Sequence, residues 1–237
     1  MNRLRFQDLP SRATMPRHSH AHSYAAVVID GHYEEAGDGG RYRVAAGDVL
    51  LHAPFSSHCD RVPGGRNRVL DIPLPDDVSL RGSLGRVRDI DSIVGVALKD
   101  PRAVVEVLLD QLIIVKAQAI DLADALATAL ASATPLRIAA WANEHGVARE
   151  TLSRQFHALY EVSPARFRVE ARARRALGMF RSQPSRSLAE VAAECGFADQ
   201  AHLSRDVVRL TGIAPKYWLA CARRASHLFK TANDNPA

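Results

Sequence analysis

Cysteine is scarce in this chain of 237 residues: Cys59, Cys195 and Cys221 are an odd number, and no C-x-x-C pair occurs. That excludes a disulfide framework and points to a reducing compartment. An apolar leader is missing too. The opening "MNRLRFQDLPSRATMPRHSH" has no hydrophobic segment, so no signal peptide is expected. The most apolar stretch, "VVEVLLDQLIIVKAQAI", is broken by Glu106, Asp110 and Lys116, which excludes a bilayer span. A cytoplasmic protein without a membrane partner is the expectation.

What is present is an ordinary globular balance, 47% hydrophobic and 24% charged residues, on a chain long enough for one large domain or two smaller ones. The net charge of +5 is unevenly placed. Residues 1–133 hold 15 Lys and Arg against 17 Asp and Glu, whereas residues 134–237 hold 16 against 9. A basic half joined to a near-neutral one suits a polyanion-binding module, although a solvated basic face gives the same count.

Three regions follow. In residues 1–80, short β-branched or apolar runs ("SYAAVVIDG", "RYRVAAGDVLLHAP", "RVLDIPL") are separated by "GDGG" and "VPGG", as in a small sandwich or barrel. Residues 81–132 read as a helical linker, with Pro101 in a first turn. Val105, Leu108, Leu112, Val115, Ala119, Leu122, Leu126 and Ala129 alternate three and four apart, the spacing of a dimerisation seam or of a helix packed on its own domain. Val104, Ile113 and Ile114 widen the apolar surface, which favours a homodimer; Asp121 is placed to cap a second helix.

Residues 133–230 are helical in pattern and contain an internal repeat. "IAAWANEHGVARETLSRQFHALYEVSPARF" (138–167) aligns with "LAEVAAECGFADQAHLSRDVVRLTGIAPKYW" (188–218). Ala142 and Gly146 recur as Ala192 and Gly196; Leu152, Ser153 and Arg154 recur as Leu203, Ser204 and Arg205; Pro164 recurs as Pro215. A small residue, a helix-ending glycine and a buried leucine describe two helix-turn-helix units, 138–160 and 188–211, whose second helices suit a DNA major groove.

These residues resemble the double helix-turn-helix region of AraC/XylS-type transcription regulators. Ala192, Gly196, Phe197, Gln200, Ser204, Arg205, Thr211, Gly212, Pro215 and Tyr217 carry the likeness in the second copy. The resemblance implies seven helices over residues 134–224. Among them is a connecting helix at about 164–181 that sets two reading helices one DNA turn apart. Helix geometry then distributes the roles. Arg154, Arg205, Ser153, Ser204, Gln200 and Glu150 are candidates for base contacts, the arginines because a guanidinium binds guanine O6 and N7 bidentately. Arg149, Arg168, Arg172, Arg209 and Lys216 are candidates for phosphate contacts. Two departures stand out: Leu203 and Val207 occupy positions usually aromatic in the family, and Asp206 sits where phosphate would repel it unless it pairs with Arg209 or reads a cytosine amino group.

The family usually carries a cupin-like β-barrel sensor ahead of this region, and residues 15–75 resemble one. In "RHSHAHSY" (17–24), His18, His20 and His22 would share one face of an extended strand. The resemblance matches His18, His20, Gly31 and, in "AAGDVLLHAPFSSH", His58, with Tyr24 where a carboxylate usually stands. It implies a divalent metal such as zinc or iron on His18, His20 and His58, or a metal-free effector pocket; His22 and His52 are read as bystanders. No enzymatic activity is expected, because no carboxylate accompanies the histidines.

The fold expected is α+β: an N-terminal cupin-like barrel, a helical linker and an all-α double helix-turn-helix domain. The function expected is DNA-binding transcription regulation, as an activator or otherwise. Its partners would be double-stranded DNA, RNA polymerase, a small-molecule effector and a second copy of the chain. The alternatives are a metal-dependent cupin enzyme tethered to a DNA-binding domain, and a ligand-independent regulator acting through protein contacts.

Overall fold

A computed structural model describes residues 3–75, 82–116 and 118–233, with backbone only for 225–233. The chain divides into two compact units: residues 1–128 with 142–163, and residues 129–141 with 164–237.

The first unit is built on two antiparallel sheets. One runs in the order β1 (Arg5–Leu9), β8 (Asn67–Pro73), β3 (Tyr24–Asp30), β6 (Asp48–His52), β9 (Leu84–Arg86), β10 (Ile113–Ile114). The other runs β2 (Thr14–Ser19), β7 (Ser57–Arg61), β4 (His32–Gly37), β5 (Gly40–Ala45). Strand β3 is apolar without alternation, "YAAVVID", because both of its faces are buried. Tyr24, Ala26 and Val28 join Tyr33, Tyr42, Val44, Leu50 and Val69 in one core cluster. Ala25 and Val27, with Val49, Leu51, Leu70 and Ile72, face the other way. They are covered by Ile93 and Ala97 of α1 (Ile90–Lys99) and by Val104 and Leu108 of α2 (Val104–Gln111).

That cover corrects the reading of residues 81–132. The supposed seam is not one helix: α2 ends at Gln111, β10 follows, and α3 spans Leu122–Ala131. Val104 and Leu108 are fully buried on their own sheet, so their spacing records intramolecular packing. Pro101 lies in the turn between α1 and α2 rather than in a first turn. Strands β9 and β10 extend the sheet, so the β domain does not end at residue 80. The cap at Asp121 is present: its Oδ1 accepts from the amides of Ala123 and Asp124.

Residues 142–163 complete this unit and contain α5 (Arg149–Tyr160), which packs against β4. A buried ionic group fixes it. The Arg41 guanidinium binds Asp124 (Nε–Oδ1 3.1 Å) and Asp121, and the Tyr160 hydroxyl donates to Asp124 Oδ1 at 2.8 Å.

The second unit holds α6 (Pro164–Ser182), α7 (Leu188–Glu194), α8 (Gln200–Thr211) and α9 (Pro215–Asn233). Helix α6 buries Phe167, Ala171, Ala173, Ala176, Leu177 and Phe180, and α8 packs on α6 and α7. Helix α7 opens with a capping box between Ser187 and Glu190. With α4 (Ile138–Glu144), six helices follow residue 134 among the described residues, not the seven expected.

Candidate functional sites: two reading helices and a histidine-lined cavity

In each copy of the repeat a glycine ends the first helix in the left-handed region, where any Cβ would be strained: Gly146 at φ +67° and Gly196 at φ +75°. The second helix then seats an apolar stripe. On α5, Leu152 and Phe156 are fully buried, while Arg149, Glu150, Arg154 and His157 are exposed and Ser153 is half-buried. On α8, Leu203 and Val207 are fully buried, while Gln200, Arg205 and Arg209 are exposed and Ser204 is half-buried. Leu and Val in place of aromatics therefore still anchor α8.

Asp206 is also buried, and its carboxylate is neutralised from its own helix. Arg209 Nη1 donates to Oδ1 at 2.9 Å, and His202 Nε2 lies 3.1 Å from Oδ2. The pairing with Arg209 that the sequence suggested for Asp206 is therefore present. Asp199 accepts from the His202 amide at 2.7 Å and is the N-cap of α8.

The phosphate candidates separate. Arg149, Arg209 and Lys216 are exposed. Arg168 is half-buried on α6 and donates from Nη1 to the Leu136 carbonyl at 2.8 Å. Arg172 is also half-buried on α6, its guanidinium beside Gly196.

The first unit contains a cavity of about 340 Å³ lined from both sheets. Strand β2 ends at Ser19, so the three alternate histidines do not share one strand face. His18 and His20 line the mouth, and His22 is exposed outside the cavity lining. His18 Nδ1 is bonded to the Pro16 carbonyl at 2.8 Å, which directs Nε2 away from the backbone. From β7, His58 meets them, with ring centroids 4.3 Å from His18 and 5.8 Å from His20. One ligand atom from each of His18, His20 and His58 falls within a 4.8 Å group.

Deeper in the cavity the structure departs from expectation. His52, read as a bystander, is buried and stacked on Tyr24 at 4.3 Å. Its Nε2 has no hydrogen-bond partner, although Glu35 Oε2 lies 3.5 Å away. Glu35 of β4 is buried, with Oε2 3.2 Å from His58 Nδ1, and the carboxylate of Asp60 lies 3.3 Å from the same nitrogen. Carboxylates therefore do accompany the histidines, and the expectation that none does is corrected. They were missed because they lie outside the motif. The available signal was alternation: on β7, the residue two beyond His58 on the same face is Asp60.

Burial raises the Glu35 carboxyl, with the His58 charge opposing it. Burial alone would lower His58, but the Glu35 charge and hydrogen bonds to Asp60 and Glu35 outweigh it, so His58 is raised. His52 is pushed well below the ordinary imidazole range by burial and then by His58 and His20, which keeps it neutral. The Tyr24 hydroxyl lies 3.1 Å from His58 Nε2.

Strand β7 faces two ways. His58 and Asp60 point into the cavity, whereas Cys59 and Arg61 point at the end of α5. Arg61 donates to the carbonyls of Ala158 and Leu159, and the Cys59 thiol to that of Leu159 at 3.4 Å. These are the last-turn acceptors of α5, otherwise without intrahelical donors.

Residues 141–220 match the family model of a helix-turn-helix domain. No curated protein matches the chain. Among solved structures, unsaturated fatty acid-bound ToxT from Vibrio cholerae is 12% identical over 91% of this chain and 94% of that one, with a TM-score of 0.42. An AraC-type regulator from Chromobacterium violaceum is 26% identical over 40% of this chain and 86% of that one, at 0.37. The DNA-binding domain of AdpA, in complex with a target DNA, is 21% identical over 44% and 96%, at 0.41. With its duplicated units and the match over residues 141–220, the chain carries a helix-turn-helix domain.

Proposed function

We propose that the chain is a sequence-specific transcription regulator that reads DNA with α5 and α8 and is controlled by a small molecule or metal in the cavity of its first unit. The observation that carries this is the duplicated helix with an exposed arginine at the same place, Arg154 and Arg205, over fully buried Leu152 and Leu203. Each arginine reads a guanine edge; Arg149, Arg209 and Lys216 hold phosphates and set register without reading sequence. Regulation passes through β7, whose inward residues meet whatever occupies the cavity and whose outward residues hold the end of α5. A ligand that prefers one position of β7 shifts the seat of the first reading helix. Ile113 and Ile114 are exposed on the edge strand β10 and support self-association, so the homodimer reading moves from the helical seam to that edge.

The test is DNA affinity at fixed salt for Arg154→Ala, Arg205→Ala and the double variant. Each single change should weaken the cognate site about 5- to 150-fold, the equivalent of ~1–3 kcal/mol for a bidentate base contact, and should leave random-sequence DNA nearly unaffected. Unchanged cognate affinity in the double variant overturns the assignment.

A further inference from the structure

We infer that the deep end of the cavity is a site for one divalent transition-metal ion, held by Glu35, His52 and His58. The inference rests on the reading of this cavity as the regulator's sensing site, and it replaces the ligand set that the sequence suggests, His18, His20 and His58.

Three observations carry it. The first is an orphan: His52 Nε2 is buried with no hydrogen-bond partner, and a buried imidazole nitrogen without a partner marks a group normally satisfied by something else. The second is charge. Glu35 and Asp60 are both buried and share the His58 imidazole, so two carboxylates meet there with one histidine to balance them. Burying an uncompensated carboxylate is strongly unfavourable, and a dication offsets it.

The third is geometry. Glu35 Oε2 lies 3.5 Å from His52 Nε2 and 3.2 Å from His58 Nδ1, and all three atoms fall within 4.8 Å of one another. Ligand bonds of 2.0–2.1 Å at tetrahedral angles put neighbouring donor atoms roughly 3.3 Å apart. Glu35 is therefore already at ligand spacing from both histidines. Two imidazoles and a carboxylate suit zinc or ferrous iron and leave a coordination position open toward the cavity. With the ion on His58 Nδ1, the Nε2–H is left to donate to the Tyr24 hydroxyl 3.1 Å away, the outer-shell arrangement of bound histidines. His18 and His20 stand nearer the mouth, placed to meet a ligand entering beside the ion.

The experiment uses the full chain without a histidine tag, stripped by chelator and titrated with zinc, then with cobalt(II) as a spectroscopic probe. Wild type should take up one ion per chain and give cobalt ligand-field bands. Glu35→Gln and His52→Ala should each lower zinc affinity by more than the ~10–100-fold that loss of an outer-shell partner costs. His20→Ala should cost no more than that outer-shell loss, because His20 lies outside the ligand set. Far-ultraviolet circular dichroism identifies any variant that fails to fold, and Glu35→Gln, nearly isosteric, remains informative if His52→Ala does not fold. No uptake by wild type overturns the site. So does loss of uptake in His20→Ala with normal uptake in His52→Ala, which would put the ion at the mouth. DNA affinity with and without zinc separates the two readings: uptake without any change in DNA binding sustains the metal site and removes the sensing role.

Discussion

Replacing Arg41 by Met should be among the most damaging single changes in the first unit. The Arg41 side chain is 6% exposed and that of Asp124 is 4% exposed, so their contact is out of water. After Arg41→Met, Asp124 keeps hydrogen bonds from the Tyr160 hydroxyl at 2.8 Å and the Ile120 amide at 2.9 Å, but loses its cation. Stranding one partner of a buried pair costs about 3–5 kcal/mol. Coulomb's law gives a similar ~4 kcal/mol for unit charges 4 Å apart at an effective dielectric constant of 20. At roughly 2–4 °C per kcal/mol for a chain of this size, the midpoint should fall by about 6–20 °C. Scanning calorimetry and urea unfolding measure the loss. The triple variant Arg41→Met, Asp124→Leu, Tyr160→Phe removes the buried pair and the Tyr160 hydroxyl together, leaving Asp121, whose side chain is 43% exposed, to water, and should recover at least half of it, since apolar replacement of a buried pair is often neutral. A loss below ~1 kcal/mol in Arg41→Met, the range of an exposed pair, would refute the reasoning.

Other changes test separate parts of the account. Leu203→Ala should destabilise by about 2–5 kcal/mol through an unfilled cavity under α8, read as a lower unfolding midpoint. Gly196→Ala should cost only ~1–2 kcal/mol, because the strain lies in the left-handed backbone while the nearest atoms to a new Cβ are 3.5 Å away on Arg172. Lys216→Ala should weaken all DNA sequences alike and reduce the slope of log affinity against log salt by about 0.9, with no change in base preference. Arg61→Ala should speed amide exchange in the last turn of α5 without changing which bases are selected.

The helix-turn-helix units were legible in sequence because their signals are local. A glycine that must adopt positive φ, a small residue before it and apolar spacing of 3.6 lie within thirty residues of one another, and they occur twice. The expected units, 138–160 and 188–211, coincide with α4–α5 and α7–α8. The cavity was only half legible. His18, His20 and His58 follow the spacing of the cupin-like motif, but Glu35 and His52 reach the same space from β4 and β6 through sheet pairings that no local pattern encodes. The segment around Leu108 misled for a related reason. Apolar residues three and four apart record that one helix face is buried, not what buries it, and here it is the outer face of β3 and its neighbours.

The central claim is that two helices of one chain read DNA through Arg154 and Arg205. Selection of bound DNA from a random pool, with wild type and each single Arg→Ala variant, tests it most directly. The account predicts a motif with two conserved blocks from wild type, with a guanine in one block relaxed by Arg154→Ala and a guanine in the other relaxed by Arg205→Ala. Enrichment of no motif by wild type, or of the same motif by all three proteins, would contradict it.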